Sequence, residues 1–161
     1  MSEIAELLER LRRGPELVAV AITGAAGSEL DYALAPGMWS IRQIVCHLAD
    51  SEIVAVDRFR RTIAEENPTL QCYDEKAWAE KLDYRRRKIS QALETFRRIR
   101  GENYELLKEL PETAFERTAI HTEHGRQTLL DILRIYAEHA ENHARQLRAV
   151  REQYKESKAK A

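Results

Sequence analysis

Four long stretches of this chain place apolar residues three and four positions apart, the spacing that lines one face of an α-helix. The best defined starts at Ser40, where Gln43 completes a capping box and Trp39 with Ile44 forms a hydrophobic staple. No stretch carries a convincing strand pattern. The sequence therefore predicts an all-α fold, a four-helix bundle with a short extra helix in a crossover connection.

Breaker residues indicate where the first helices end. The stripe that begins at Ile4 is expected to stop at Gly14-Pro15, and Pro15 is suited to start a second helical stretch because proline is tolerated at the first helical position. The helix from Ile41 is predicted to end near the sequence EENP, residues 65–68. The segment YDEKAWAEK then predicts one or two helical turns inside the crossover.

Capping residues indicate the last two helices. Asp83 is expected to cap the next one, in which Gly101 marks a site for a kink or break. After a loop with the sequence AIHTEHGRQ, Thr128 and Asp131 are expected to cap the final helix, which runs to about Tyr154.

Length and charge restrict the class of protein. The 161 residues suit one domain, which we place at 1–155 with a flexible tail at 156–161. The formal net charge of −1 gives no field that would attract nucleic acid or an anionic membrane. Two cysteines are too few for a disulfide framework, and neither a signal core nor a long apolar run is present. A cytoplasmic protein is expected.

Two histidines on the final helix point toward its apolar face. With Ile132 as the zero angle and 100° per residue, His139 falls at about −20° and His143 at about +20°. They are also one helical turn apart, close enough for both rings to bind one ion.

A third histidine, His47, lies at the shoulder of the apolar stripe on the well-capped earlier helix. If the two helices face each other, three imidazoles converge inside the bundle, and a divalent transition metal would satisfy them. Zinc or nickel is expected first, with iron, cobalt or manganese as alternatives. Core histidines that bond to a carbonyl or a water, with no metal, are the competing interpretation.

The order of three segments resembles the DinB/YfiT-like family of metal-dependent enzymes. They are MWSIRQIVCHLADSE, then YDEKAWAE, then HTEHGRQTLLDILRIYAEHAENHARQL, and the likeness extends from about residue 5 to 152. The resemblance implies a four-helix bundle, often a homodimer, in which His47, His139 and His143 hold one metal ion.

Better-understood members of that family imply thiol-dependent chemistry, with bacillithiol, mycothiol or glutathione as the thiol. The expected function is therefore a metal-dependent hydrolase or a thiol S-transferase that acts on a small electrophile. A non-catalytic, metal-stabilised bundle or a stress-related binding protein is the alternative. A DNA-associated role is disfavoured by the charge and by the lack of a recognition motif.

Several polar residues near the histidines are weaker candidates. Asp50, one turn beyond His47, is the candidate to orient a ligand or accept a proton, although an exposed carboxylate is the plainer interpretation. Glu138 and Asn142 flank the two histidines of the last helix and could support them.

Two further histidines and a cysteine are not assigned to the metal site. His121 and His124, in the loop before the last helix, are either part of a pocket rim or solvated. Cys46 projects about 100° away from its neighbour His47 and is interpreted as a small core residue, not a nucleophile.

Overall fold

The computed structural model describes residues 1–161 and contains five α-helices. They are α1 (Glu3–Ala21), α2 (Ile41–Ala64), α3 (Glu75–Lys81), α4 (Ile89–Lys108) and α5 (Leu129–Ala159). Helix α1 packs against α4 and α5, and α2 packs against the same two helices. The consecutive helices α1 and α2 therefore lie across the bundle from each other, and the short α3 lies in the crossover from α2 to α4. The predicted all-α four-helix bundle is confirmed.

A layer of polar side chains divides the core into two apolar clusters. On α2 one cluster ends at Ala49 and the other resumes at Ala55, and on α5 the corresponding boundary falls between Ala137 and Ala140. His139 lies at that boundary on α5. The layer thus crosses the bundle at the level of the candidate site.

Arg100 is the centre of this layer, and its side chain is 0% exposed. Its Nη2 forms an ion pair with Glu52 Oε2 at 2.9 Å, and Asn103 donates to the other carboxylate oxygen at 2.9 Å. A buried charge is costly unless it is paired and hydrogen-bonded, so each partner depends on the others.

The expected break at Pro15 does not occur, because α1 continues through it. Proline has no N–H, so the carbonyl of Leu11 loses its helical donor. Arg100 Nη1 donates to that carbonyl at 3.0 Å. Gly14 makes room for the guanidinium, since a Cβ built there would lie 2.6 Å from Nη1. A side chain of α4 therefore replaces the hydrogen bond that the proline cannot donate, and α1 continues without a break.

A three-stranded sheet lies beside the bundle, and we did not predict it from the sequence. Strand β1 (Thr69–Leu70) pairs in parallel with β2 (Thr118–His121), which pairs with β3 (Gly125–Thr128) in an antiparallel hairpin. The segment predicted as a loop is this hairpin. Its strands are too short to show a period of two, which explains the miss.

Helix ends differ from the prediction at a few positions. Asp83 has a left-handed backbone (φ 51°) and precedes a short 3₁₀ turn, while α4 begins after Lys88 without a side-chain cap. Gly101 causes no break in α4, and α5 extends past Tyr154 to Ala159. The division into a domain at 1–155 and a flexible tail stays a prediction. None of the helices has the length and apolar character needed to cross a membrane.

Candidate metal centre

Helix α2 positions His47 through its N-terminal cap. The Ser40 hydroxyl accepts a hydrogen bond from the backbone N–H of Gln43, and Gln43 Oε1 accepts one from the backbone N–H of Ser40. These two bonds confirm the predicted capping box. The Trp39 ring, just before the cap, lies 4.8 Å from the His47 ring, centroid to centroid. His47 is 1% exposed. The cap and the indole together hold the imidazole inside the bundle.

Helix α5 carries the other two rings. Its capping box of Thr128 and Asp131 is also present as predicted. His139 and His143, four residues apart, present their Nε2 atoms to each other at 3.0 Å.

The three imidazoles meet between the two helices. His47 Nε2 lies 3.0 Å from His139 Nε2. His139 Nε2 therefore lies 3.0 Å from the Nε2 atoms of both His47 and His143. The donor nitrogens of all three residues lie within 4.8 Å of one another. The structure thus brings together the three histidines that the sequence singled out.

Burial keeps these rings neutral. Removal from water lowers the pKa of His47 to about 3, with repulsion from His143 as the smaller cause. Burial lowers the pKa of His139 and of His143 as well. Neutral imidazoles retain a lone pair for a metal, as ligation requires.

Gln146 fixes the orientation of the third ring. Its Oε1 lies 2.7 Å from His143 Nδ1, and because an amide oxygen only accepts, Nδ1 is the protonated nitrogen. The lone pair of His143 is therefore on Nε2, which faces the other two rings. Gln146 was not among the residues predicted from the sequence, although its position three residues after His143 on one helix face was a usable signal.

The donor set fits a divalent transition metal. Three nitrogens this close cannot all be joined by hydrogen bonds, because a single proton on His139 Nε2 can serve only one neighbour and leaves lone pairs opposed. A cation at their centre would satisfy all three, and ring nitrogens about 2.0–2.1 Å from one zinc ion would stand roughly 3 Å apart. No carboxylate forms an ion pair or hydrogen bond with these rings.

A cavity of about 380 Å³ adjoins the cluster, with His139 in its wall. Ile132, Ile135 and Tyr136 of α5 supply its apolar side. The polar lining residues come from α2, α3, the hairpin and the segment after β1, and include Arg58, Cys72, Glu75, His121 and Glu123. A pocket of this size beside the three clustered ring nitrogens can admit a small organic molecule.

Asp50 is buried and held by two side chains of the segment that follows α3. It is 6% exposed, so the exposed-carboxylate interpretation is wrong. Tyr84 donates to it at 2.7 Å and Arg87 Nη1 contacts both of its oxygens at 2.9 Å. The carboxylate forms a buried ion pair and no hydrogen bond with the three imidazoles, and its role in orienting a ligand or accepting a proton stays a prediction.

The remaining candidates divide into buried and exposed groups. Glu138 and Asn142 are exposed, and Asn142 pairs with Arg145. His121 is 5% exposed, which contradicts the solvated interpretation, whereas His124 is exposed and stacks on His121 at 4.7 Å. Both line the cavity. Cys46 is a buried core residue, as predicted, and burial raises its pKa to about 11.

Known proteins resemble this chain along most of its length. The sequence model described as the DinB superfamily matches residues 7–147. A protein of Oceanobacillus iheyensis named "Putative metal-dependent hydrolase" is 34% identical over 140 residues, which span 87% of this chain and 81% of the relative. The protein of Bacillus subtilis with the same description, YfiT, is 32% identical over 137 residues, which span 84% of this chain and 77% of the relative.

A solved structure has the same fold. It is described as "YfiT from Bacillus subtilis is a probable metal-dependent hydrolase with an unusual four-helix bundle topology". It superposes with a TM-score of 0.89 at 29% identity, over 96% of this chain and 90% of that one.

Proposed function

The chain belongs to the DinB superfamily, and on that premise we propose that it is a metal-dependent enzyme that acts on a small electrophile. In this proposal His47, His139 and His143 hold one divalent transition metal, zinc or nickel before iron, cobalt or manganese. The observation that carries it is the approach of three Nε2 atoms from two helices, one of them belonging to a residue in the wall of a cavity.

The residues of the chain prepare the site before any substrate enters. Gln146 keeps the His143 lone pair directed inward, and Trp39 covers the His47 ring. When bound, a divalent cation with three neutral ligands keeps its full charge, which lowers the pKa of a water or thiol beside it. Three protein ligands leave coordination positions for such a molecule.

Tyr136 supplies a hydrogen-bond donor to the same cavity. Its hydroxyl accepts from Arg58 Nη1 at 3.2 Å, and burial raises its pKa well above the ordinary range. The phenol therefore keeps its proton at neutral pH, and its O–H is able to donate to a substrate oxygen.

Two nucleophiles fit this site. Water would make the enzyme a hydrolase, which is what the names of the relatives support. A low-molecular-weight thiol such as bacillithiol, mycothiol or glutathione would make it an S-transferase. The lack of a carboxylate on any of the three rings favours the thiol, because a thiol ionises near neutral pH with less help from a general base than water needs.

Turnover by protein of known metal content tests the proposal. Zinc-loaded and nickel-loaded protein would be assayed with activated esters and amides, and with each thiol plus a model electrophile such as a haloarene. The matched control is His139→Gln, which removes one ring nitrogen from the cluster. Turnover that follows metal content and disappears in the variant supports the enzyme.

Two results would contradict it. Full metal occupancy with a coordination sphere closed by a fourth protein group would identify a structural site instead. Equal turnover by wild type and His139→Gln would place the chemistry elsewhere. The homodimer, too, remains a proposal, and light scattering in solution tests it.

A further inference from the structure

Arg58 stands apart from the other partly buried arginines of this protein. Each other arginine that is buried or half-buried forms an ion pair with a carboxylate, as Arg87 does with Asp50 and Arg151 with Glu29. Arg58 is half-buried, and no carboxylate forms an ion pair with it. A guanidinium withdrawn from water without a counter-ion is costly, so an anionic ligand would stabilise it.

The neutral contacts of Arg58 hold it at the cavity wall. Nη1 donates to the Tyr136 hydroxyl at 3.2 Å and Nη2 donates to the carbonyl of Gln71 at 3.1 Å. Nε is buried and has no hydrogen-bond partner. The guanidinium carbon lies 5.8 Å from the centre of the Tyr73 ring. These contacts fix the position of the charge and leave it without a direct ion-pair partner.

His121 supplies a second donor to the same cavity. Its Nδ1 accepts from the backbone amides of Glu123 and His124, each at 3.1 Å. The proton of the neutral ring is therefore on Nε2, and this N–H has no partner in the protein. Burial, followed by the charge of Arg58, lowers the pKa of His121 and keeps the ring in this form. His121 is 5% exposed and lines the cavity, so this unpartnered N–H is available to a ligand bound there.

We propose that Arg58 and His121 form a carboxylate-binding subsite in the cavity, which selects small ligands bearing a carboxylate for the metal-dependent reaction. This rests on the proposed function, because it takes the cavity as the substrate or thiol pocket. The apolar wall of Ile132 and Ile135 would contact the organic part of the ligand.

The charge on the cavity lining favours a carboxylate over a phosphate. Glu75 and Glu123 also line the cavity, and both are exposed. Their negative charges would raise the cost of a dianion, whereas one guanidinium balances a single carboxylate. They could also accept a cationic amino group on the outer part of the same ligand.

The test compares 3-phenylpropionate with its uncharged amide, 3-phenylpropionamide, as NMR-detected ligands of the full-length protein. The carboxylate is expected to bind at least about tenfold more tightly than the amide, as charge-assisted hydrogen bonds allow. Arg58→Gln should remove that preference. Arg61→Gln, the same change one turn away on α2 at an exposed site outside the cavity, should preserve it.

His121→Asn provides an independent variant that keeps the local backbone. The asparagine Oδ1 can replace Nδ1 as the acceptor for the two amides, so the hairpin is retained while the Nε2–H is lost. The carboxylate should then bind about threefold or more weakly, as the loss of one hydrogen bond would produce. This variant decides the matter if Arg58→Gln does not fold.

Repeating the titration after chelation separates this subsite from the metal centre. A preference for the carboxylate that persists in metal-free protein and depends on Arg58 supports the subsite, even if the metal proposal fails. Binding that is lost on chelation but unchanged in Arg58→Gln would show that the carboxylate binds the metal, and would overturn the inference. So would equal binding of the acid and the amide by wild type, or no effect of His121→Asn.

Discussion

His143 donates a hydrogen bond of 2.7 Å from Nδ1 to Gln146 Oε1, and this bond decides which nitrogen of the ring faces the other two imidazoles. Without it the ring can rotate or adopt the other tautomer, which turns the lone pair away. The cost of metal binding then includes the cost of orienting the ring.

Gln146→Ala should therefore weaken zinc binding by about tenfold or more, the usual effect of losing the partner of a ligating histidine. Gln146→Glu keeps an acceptor and should retain or strengthen binding. Competition with a chromophoric chelator measures both dissociation constants. Gln91→Ala, an exposed glutamine on α4, is the matched control. An affinity for Gln146→Ala within a factor of two of wild type would show that the ring needs no such partner.

His143→Ala should abolish stoichiometric metal, because two imidazoles from different helices leave the ion with too few protein ligands. Elemental analysis of the purified protein measures this directly. His124→Ala changes a histidine that is exposed and separate from the three-ring cluster, so it should keep the metal content of wild type. Equal occupancy in the two variants would contradict the ligand assignment.

The close approach of Gly14 to Arg100 allows the packing of the polar layer to be tested by substitution. An alanine Cβ at position 14 would lie 2.6 Å from Arg100 Nη1 and 2.8 Å from Ala140 Cβ. Gly14→Ala should therefore lower the free energy of unfolding by about 1–3 kcal/mol, as overpacking does. Gly101→Ala is the matched control, because its Cβ meets nothing within 4 Å and alanine favours a helix by roughly 1 kcal/mol. Denaturant titration should give opposite signs, and a stabilised Gly14→Ala would show that the layer adapts freely.

Pro15 and Arg100 show which features of the fold could be predicted from the sequence alone. Helical periodicity predicted the helices of the bundle and the inward-facing histidines, and local motifs predicted the two capping boxes, because each of these features depends on residues close together in sequence. The role of Pro15 could not be predicted this way. A proline ends a helix unless another element supplies the missing donor, and the donor here is Arg100 on α4, 89 residues away from Leu11 in sequence.

His121 shows the same limit at the candidate site. Its burial depends on the pairing of β1 with β2, where Leu70 and His121 are register partners. That contact joins segments about fifty residues apart. Strands of two and four residues are too short to show the alternating pattern from which a strand is predicted. The three candidate ligands could be singled out because two of them share a helix, whereas the burial of His121 depends on tertiary pairing alone.

Thiol reactivity should separate the two cysteines. Cys46 is buried, and burial raises its pKa to about 11, so little thiolate forms near neutral pH. Cys72 is half-exposed and lines the cavity. An aromatic disulfide reagent should therefore modify one thiol per chain in native protein and two after denaturation. Cys72→Ser should remove the native reaction, and rapid modification of both thiols in the native state would contradict the burial of Cys46.

Stability of the metal-free protein should decrease as the pH falls below neutral. Burial lowers the pKa of His47 to about 3 from its ordinary 6.5, so between these values the unfolded chain binds a proton that the folded chain excludes. The contribution is present in full above pH 6.5 and is lost progressively toward pH 3, with a limiting slope of about 1.4 kcal/mol per pH unit for one such group.

Denaturant titrations of chelated protein between pH 7 and 5 measure this slope. His47→Gln removes one titrating ring and should flatten the dependence by up to that amount, because glutamine binds no proton in either state. His124→Gln, at an exposed ring, should leave the slope unchanged. A wild-type stability that is flat over this range would mean that the three imidazoles gain protons in the folded state, and that they are therefore hydrated and not enclosed in the bundle.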